Sequence, residues 1–566
     1  MSCSYRPSLE TTVEADVAIV GAGPAGIVLS LELADAGLQV TLIDSGGDSF
    51  DAEVQRLGDT VGEDPPHAPM SLATRRQLGG ASNLWAGRCV PFDPIDFYPR
   101  PITGNVRWPV GYEELRGYFG RACDWCVCGK PNFDVGEIPD LAQSSLIPGW
   151  PGDQIRATAL ERWSLPTNFG QHYRARLRAS PRVRLVTGLT CTEIVCCADG
   201  RSVDHLVLRS LRGECVAVRA NRYVLACGGL ETTRLLFASD QVHHRGIGNH
   251  SSHLGRWYMG HVESRIANVR FTTPPSATIY GYERDADGVY VRRRFTFSPG
   301  SIVAHDLPNA ALWLVNPELG DPSHGSGTLS FLYLALSSPL GPHIVSEAIR
   351  LRQIETTRPI SRRAHLANVV RDLRSTTRLA VALGYQRFLV RGHKVPGVFV
   401  PSTSNLYPLL YHGEHLPHRS SYVVPTSERD ALGMPRLRTR LSFEDSDVQG
   451  AIRVHEHFDR YLRCHGLGQL EPLYDDLAAA VRKQVYGGYH QAGTTRMSAR
   501  PKNGVLDRDL AVHGFRDLFV ASSSAFVTSS QANTTFMIVV FALRLADHLL
   551  GARARRSDHH AAYAPQ

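Results

Sequence analysis

The sequence predicts an α/β protein, α+β overall, in which a discontinuous Rossmann-like dinucleotide domain is interrupted by an inserted second domain. Three observations predict this. Residues 16–44 alternate as strand, glycine turn, helix and strand. A second run of strands, from Val183 to Ala226, ends on Gly228-Gly229 and a helix carrying Leu235 and Leu236. Beyond that run lies a long region of different texture, mixing hairpin and helix signals, before the chain returns to apolar, glycine-rich motifs near its C-terminus.

The first unit opens with a buried-type strand, Asp16 to Val20, then Gly21-Ala22-Gly23-Pro24-Ala25-Gly26, an apolar helix from Ile27 to Ala36 and a second strand from Gln39 to Ile43. In such a turn Gly21 permits the tight bend, Gly23 lets the backbone approach a pyrophosphate, and Gly26 lets helix and strand pack closely. The phosphates then sit on the positive end of the helix. Asp44, at the end of the second strand, can accept hydrogen bonds from ribose hydroxyls and would repel a 2′-phosphate. This order marks a dinucleotide site and leaves FAD or NAD open.

Further along, Val183 to Ser210 reads as paired strands around Asp199-Gly200, and Arg222 to Ala226 as another strand. Tyr280 to Phe297 alternates around Asp287-Gly288, a hairpin signal. Thr328 to Leu336 reads as a strand, and the stretch from Ser346 to Leu383 turns helical. The last sixteen residues, with Arg553, Arg555, Arg556, His559 and His560, read as a frayed tail. The expected division is a cofactor domain of residues 15–110, 175–262 and 484–552, a substrate domain of residues 111–174 and 263–483, and flexible termini at 1–14 and 553–566.

The composition of this 566-residue chain, 43% hydrophobic and 20% charged, is that of a soluble globular protein. It shows no leader of signal-peptide type and no run of about 18 apolar residues, so the expectation is a cytoplasmic protein without a transmembrane segment. Eleven cysteines without framework spacing are expected to be reduced. Cys123, Cys126 and Cys128 cluster without a fourth ligand in the sequence, so they read as structural and no metal is expected. A net charge of +7 without a Lys-rich run argues against nucleic acid. The Arg-heavy stretch of Arg350, Arg352, Arg362, Arg363, Arg371, Arg374 and Arg378 reads as a solvated helix face or as a face for a membrane surface or partner.

Several motifs carry a family resemblance: Gly79-Gly80-Ala81-Ser82-Asn83-Leu84-Trp85, the run Tyr223 to Gly229, His490-Gln491-Ala492-Gly493-Thr494-Thr495-Arg496-Met497, and Gly504-Val505-Leu506-Asp507 running on to His513-Gly514 and Leu518 to Ala521. Together these resemble the glucose-methanol-choline (GMC) family of FAD-dependent oxidoreductases. Gly248-Asn249, Leu254-Gly255-Arg256 and His261 resemble its sugar- and alcohol-oxidising branch. The resemblance runs from Asp16 to about Leu550 and is loose in the middle third. It implies FAD, a discontinuous Rossmann-like FAD-binding domain, and a substrate domain built on an antiparallel sheet flanked by helices.

Carried over by position, Gly21, Gly23, Pro24, Ala25, Gly26 and Asp44 would hold the ADP half, and Cys191 would meet the adenine through its backbone. Gly79, Gly80, Ser82 and Asn83 would run beside the reactive ring edge, and Cys227, Gly228, Ser522, Asn533, Thr534 and Thr535 would complete the cofactor wall. Leu84 stands where some relatives tether FAD through a histidine, which implies non-covalent flavin.

Oxidising an alcohol removes a proton from oxygen and a hydride from carbon; flavin N5 takes the hydride and a neutral histidine suits the proton. The resemblance places the base at His490 and the second polar position at Asn533, whose amide can orient the substrate oxygen. His261 and His513 read as structural. The apolar helix after Asn533, starting at Thr534 where many relatives have proline, would aim its N-terminus at the pyrimidine end of the flavin. The expected activity is that of an alcohol dehydrogenase or oxidase acting on CH–OH in a sugar, polyol or glycosylated natural product, with Asn309, His324 and Asn405 as possible readers of hydroxyl groups. A hydrophobic or sterol-like alcohol, or a hydroxynitrile-lyase-type reaction, is the alternative. Oxygen, a quinone or a redox protein would serve as electron acceptor; neither this choice nor the oligomeric state is encoded.

Overall fold

Val17–Val20 is apolar throughout and Val40–Asp44 is buried at every position, as befits strands covered on both faces. The structure, a computed structural model, describes residues 11–62, 67–345, 347–354, 360–390, 392–402, 404–485 and 487–561. In it the strand Thr11–Val20 pairs in parallel with Val40–Asp44 on one side and Cys215–Leu225 on the other. Val183–Thr187 extends the parallel set at one end, and Leu518–Val520 lies alongside Cys215–Leu225. Val203–Arg209 and Thr190–Cys196 continue the sheet as antiparallel strands around the Asp199-Gly200 turn.

The crossover from first to second strand is the helix Pro24–Asp35, against which the long helix Thr534–Ala561 packs. Gly21 has φ +104°, and a Cβ there would lie 2.5 Å from the Ala226 carbonyl oxygen. A Cβ on Gly26 would come within 1.9 Å of the Gly21 carbonyl oxygen, so strand and helix can only meet at a glycine. Thr534–Gly551 has the length and apolarity of a membrane span, but 67% of it is buried in the protein and its apolar surface serves the core.

A second, antiparallel sheet runs in the order Gly468–Pro472, Ala267–Phe271, Leu406–Glu414, Ala310–Leu314, Tyr290–Phe297, Ile155–Trp163 and Arg88–Cys89. Glu283–Arg284 joins Tyr290–Phe297 as the hairpin expected at Asp287-Gly288, and His261–Ser264 joins Leu406–Glu414. The helix Asp445–Cys464 lays Val448, Val454 and Phe458 onto Phe295, Leu312 and Leu409 of this sheet. The architecture is thus the expected α/β sheet with an antiparallel insert.

Four expectations are corrected. Thr328–Leu336 is part of the helix Gly327–Leu336, opened by Ser326, whose hydroxyl accepts the Leu329 N–H at 3.3 Å. A short apolar run does not distinguish strand from helix; the cap decides. The first strand starts at Thr11, inside the stretch read as a flexible terminus, while residues 1–10 lie outside the described residues. The stretch read as a frayed tail is helical through Ala561, with residues 562–566 outside the described residues. Finally, Cys89 supplies a fourth buried thiol beside Cys126 and Cys128, and Cys123 contacts Cys128. Thiol–thiol hydrogen bonding and then burial hold Cys89 and Cys123 well above the usual thiol range. The ten described cysteines are free.

A buried knot of charge ties the antiparallel sheet to the segment before Thr534. Arg100 donates to both oxygens of Glu414 at 2.5 and 2.8 Å, and Glu414 also accepts the Asn309 backbone N–H at 2.6 Å. The Asn309 amide donates to Asp93 and Asp96, each at 2.9 Å. From the other side, Ser530 donates to Asp96 at 2.6 Å, and Gln531 donates to Asp93 at 2.8 Å while accepting from Arg294 at 2.6 Å. These bonds hold Ser530 in a left-handed conformation, φ +58°.

Asp96 is pushed up to about 7, first by burial and then by Asp93 and Glu414, with Arg100 and Ser530 opposing. Its folded pKa exceeds the unfolded value of about 3.9, so between the two the folded state binds the extra proton. The stability it contributes is full at the acid end of that window and falls as pH rises towards 7. Asp96→Asn should therefore lessen the decline in Tm across this interval relative to the parent; an unchanged slope in thermal unfolding would assign the decline to other groups.

Candidate active site

Segments far apart in sequence converge on one cavity of about 440 Å³. At the glycine turn, Gly21, Gly23, Pro24 and Ala25 line it, with Asp44 beside them. Asp44 accepts the Ala22 N–H at 2.7 Å and the Gly46 N–H at 2.9 Å, which anchors it to the turn and leaves lone pairs for further donors. Burial pushes its pKa up against those two N–H groups and Arg76. Gly26 does not line the cavity; it serves the helix–strand crossing.

From the next motif, Gly80, Ser82 and Leu84 face the cavity, whereas Gly79 and Asn83 do not line it. The Asn83 amide donates to the Leu78 and Gly80 carbonyls at 3.1 and 2.8 Å and accepts from Asn168 at 2.7 Å, so it braces the turn. Ser82 donates to the Gly79 carbonyl at 2.6 Å and accepts the Phe169 N–H at 3.1 Å. Cys191, Cys227 and Gly228 contribute further wall, the Cys227 thiol donating to the Val20 carbonyl at 3.2 Å.

The C-terminal motif is laid down beside residues 523–525. Gly493, Thr495 and Met497 donate to the carbonyls of Ser523, Ser524 and Ala525 at 3.2, 2.8 and 2.8 Å. Ala492 and Met259 exchange two backbone bonds of 3.0 and 2.9 Å, which brings His490 against His261. The Nδ1 atoms of these histidines are 3.0 Å apart, and Asn533 Nδ2 is 2.9 Å from His490 Nε2. His490, Ser522, Asn533, Thr534 and Thr535 all line the cavity, and Asn533 Oδ1 is buried without a partner.

His261 stacks on His412 with ring centroids 4.4 Å apart. The pairing explains it: His261 stands opposite Glu414 and His412 opposite Glu263, so the two imidazoles are diagonal neighbours on one face. His412 Nδ1–H donates to the Gln531 carbonyl at 2.8 Å. Burial, followed by the neighbouring His412 and His490, holds His261 well below the usual histidine value and keeps it neutral. Arg88 also lines the cavity; it pairs at 2.5 Å with buried Glu161, whose other oxygen meets Arg292 at 2.5 Å. Burial raises Glu161, but Arg292 and Arg88 outweigh it and the net shift is downward.

Sequence reasoning missed Arg75, Arg76, Arg88, Glu263 and His412 among the lining residues and set His261 aside as structural. Arg88 follows the Leu84-Trp85 motif closely enough to have been found; His412 is one polar residue in an otherwise regular strand and carried no signal. Asn309, His324 and Asn405 do not line the cavity. Asn309 belongs to the charge knot, His324 accepts the Ser326 N–H at 3.0 Å, and Asn405 donates to the Phe271 and Thr273 carbonyls at 2.6 and 2.7 Å.

The residues present fit a flavin dinucleotide. A Cβ on Gly23 would meet only Gly80 Cα at 4.0 Å, and one on Gly228 would meet nothing within 4 Å, so the protein leaves a cradle at both glycines. The helices Pro24–Asp35 and Thr534–Ala561 begin at this cavity with no acid in their first turns, which leaves their N-terminal amides to favour anionic groups. Leu84 offers a hydrocarbon side chain, with no atom able to bond covalently to the ring.

Comparison with known proteins agrees with this geometry. Residues 417–542 match the GMC oxidoreductase family and residues 14–52 an FAD binding domain family. The chain is similar to 2-methyl-1,2-propanediol dehydrogenase of Mycolicibacterium austroafricanum, 20% identical over 95% of both chains. It is also similar to 6'''-hydroxyparomomycin C oxidase of Streptomyces lividus, 24% identical over 43% of this chain and 53% of that one. Among solved structures, a variant of formate oxidase from Aspergillus oryzae RIB40 superposes with a TM-score of 0.53 at 14% identity, covering 96% of this chain and 99% of that one. Pyridoxine 4-oxidase from Mesorbium loti gives 0.52 at 16% identity, covering 94% and 98%. Fold and family matches agree: the chain carries a GMC oxidoreductase domain at residues 417–542 and an FAD-binding domain at residues 14–52, and the curated relatives it resembles are an alcohol dehydrogenase and an oxidase.

Proposed function

We propose that the chain oxidises a CH–OH group of a sugar, polyol or glycosylated natural product, with His490 taking the hydroxyl proton and Asn533 holding the substrate oxygen. The observation that carries this reading is the 2.9 Å contact between Asn533 Nδ2 and His490 Nε2 on the wall of the cofactor cavity. We assign residues 15–110, 175–262 and 484–552 to the FAD-binding unit, extended at its start to Thr11, because they hold the glycine turn, the strands of the first sheet and the start of the helix Thr534–Ala561.

FAD, when bound, supplies the hydride acceptor at N5. The chain's own residues manage the proton. With the Asn533 amide donating to it, His490 Nε2 carries a lone pair and the imidazole proton resides on Nδ1. The 3.0 Å contact between the Nδ1 atoms needs one proton, which His490 donates to neutral His261. His261 thus holds His490 in the tautomer whose Nε2 faces the substrate, a service usually performed by a carbonyl or carboxylate. A hydroxyl entering between Asn533 and His490 accepts from the amide and passes its proton to Nε2.

A hydroxyl-rich substrate is favoured by the polar lining near His490, where Arg88, Glu263 and His412 reach the cavity. The names of the two relatives, one a propanediol dehydrogenase and the other a hydroxyparomomycin oxidase, point the same way. Leu84 supports dissociable flavin, recoverable by acid precipitation.

His490→Ala should keep the bound-flavin spectrum while substrate bleaching under anaerobic conditions slows by about 10²–10⁴. Bleaching at the parent rate would remove His490 from the reaction. His261→Leu should lower kcat by about tenfold or more with KM nearly unchanged and move the acid limb of the pH profile, since His490 then loses the acceptor for its Nδ1 proton. A loss of folded, flavin-bound protein without these kinetic changes would make His261 structural only. In a substrate panel, sugars and polyols should reduce the flavin and matched deoxy analogues should fail by orders of magnitude, about 10⁴ for a hydroxyl read by buried partners. Reduction by long-chain alcohols alone would overturn the substrate class.

A further inference from the structure

We infer that the outer face of the helices Arg362–Arg371 and Leu373–Gly384 is a docking surface for an anionic lipid bilayer. Two concentrations coincide there. Between residues 340 and 389 the sequence has nine arginines, no lysine and three acids, so this segment holds six of the chain's seven net positive charges. It also holds nine of the sixteen large apolar side chains found exposed among the described residues.

Helix geometry sorts these residues onto one side. On Arg362–Arg371, His365 and Asn368 turn inward, bonding Ser330 at 3.0 and 3.2 Å on the helix Gly327–Leu336, and Leu366 and Val370 face out one turn apart. On the next helix Thr376 is buried while Leu373 and Val381 are exposed, and Tyr385 and Leu389 are exposed in the helical turn Tyr385–Leu389 that follows. Arg374 and Arg378 share this outward face with Leu373 and Val381, and both are exposed, as are Arg362 and Arg363. None of these four has an ion-pair partner among the described residues.

Val370 is 71% exposed and Val381 67%, values that leave most of each aliphatic chain in water. An exposed face on which apolar chains and arginines are interspersed suits a membrane interface, where the apolar chains enter the acyl boundary and the long arginine stems let the guanidinium groups reach the phosphates. A second copy of this face is a poor occupant, because a self-complementary contact would press arginine against arginine.

The test is sedimentation of the full-length flavoprotein with phosphatidylglycerol-containing vesicles, against pure phosphatidylcholine vesicles. Preferential binding to the anionic vesicles that is released by high salt is expected. Arg374→Glu with Arg378→Glu should weaken it by about tenfold or more. Leu373→Ser with Val381→Ser should also weaken it, which adsorption by charge alone would not do. Both variants should keep the parent flavin spectrum and turnover of a water-soluble alcohol, which shows that they are folded. The proposal fails if the parent does not sediment with anionic vesicles at low salt, or if both variants bind like the parent. It fails as well if light scattering shows a dimer that these substitutions dissociate, or if only an acidic protein binds the face.

Discussion

The constraint on which the site depends is the buried acid–base knot between Arg100, Glu414, Asn309, Asp96 and Asp93. It joins elements that share no sequence proximity: the turn after Cys89, the strand Leu406–Glu414, and the loop that ends at Asn533. Breaking a buried pair such as Arg100–Glu414 leaves one charge uncompensated, at a cost of about 3–5 kcal/mol. Ser530, bonded to Asp96 of the same knot, is held in its left-handed conformation, and three residues later the Asn533 amide lies 2.9 Å from His490. The loop that carries Asn533 to His490 is thus anchored by carboxylates outside the cavity wall.

The cavity wall divides the same labour differently. Gly21 and Gly26 are glycines because protein backbone passes where a side chain would be; at Gly23 and at Gly228, whose φ of +80° itself favours glycine, the protein leaves that space open. Only the second kind leaves room for a ligand. Asn83 and Gly79, expected beside the flavin, belong to the first kind of service: they shape the turn that presents Gly80 and Ser82.

What could be read from the sequence was local. The glycine turn, its acid and the strands beside it have effects confined to a few residues, and they stand as expected. His490 and Asn533 were found through motif order, and the structure adds their contact. Thr328–Leu336 misled because its apolar run has no period that separates a buried strand from a buried helix, although Ser326 was available as a cap. Cys89 could not be joined to Cys123, Cys126 and Cys128, since their meeting depends on where a strand of the second sheet is laid. The same holds for His261 and His412, which lie about 150 residues apart and become neighbours only through antiparallel register.

Arginine makes the limit concrete. The chain has 57 arginines and four lysines, and nothing in a count separates their tasks. Arg88, Arg100, Arg162, Arg234 and Arg293 are nearly or fully buried, each facing a carboxylate within the protein. A planar fork with several donors can satisfy a carboxylate and nearby carbonyls at once, which suits it to such interiors better than an ammonium group. Arg362, Arg363, Arg374 and Arg378 have the same chemistry on an outer helix face with no carboxylate assigned to them. Counted over the sequence, residues 340–389 carry six of the seven net positive charges, so the rest of the chain balances its arginines with acids almost completely. The interior arginines are matched by carboxylates held in fixed geometry, whereas those of this outer face are left to whatever the surface meets.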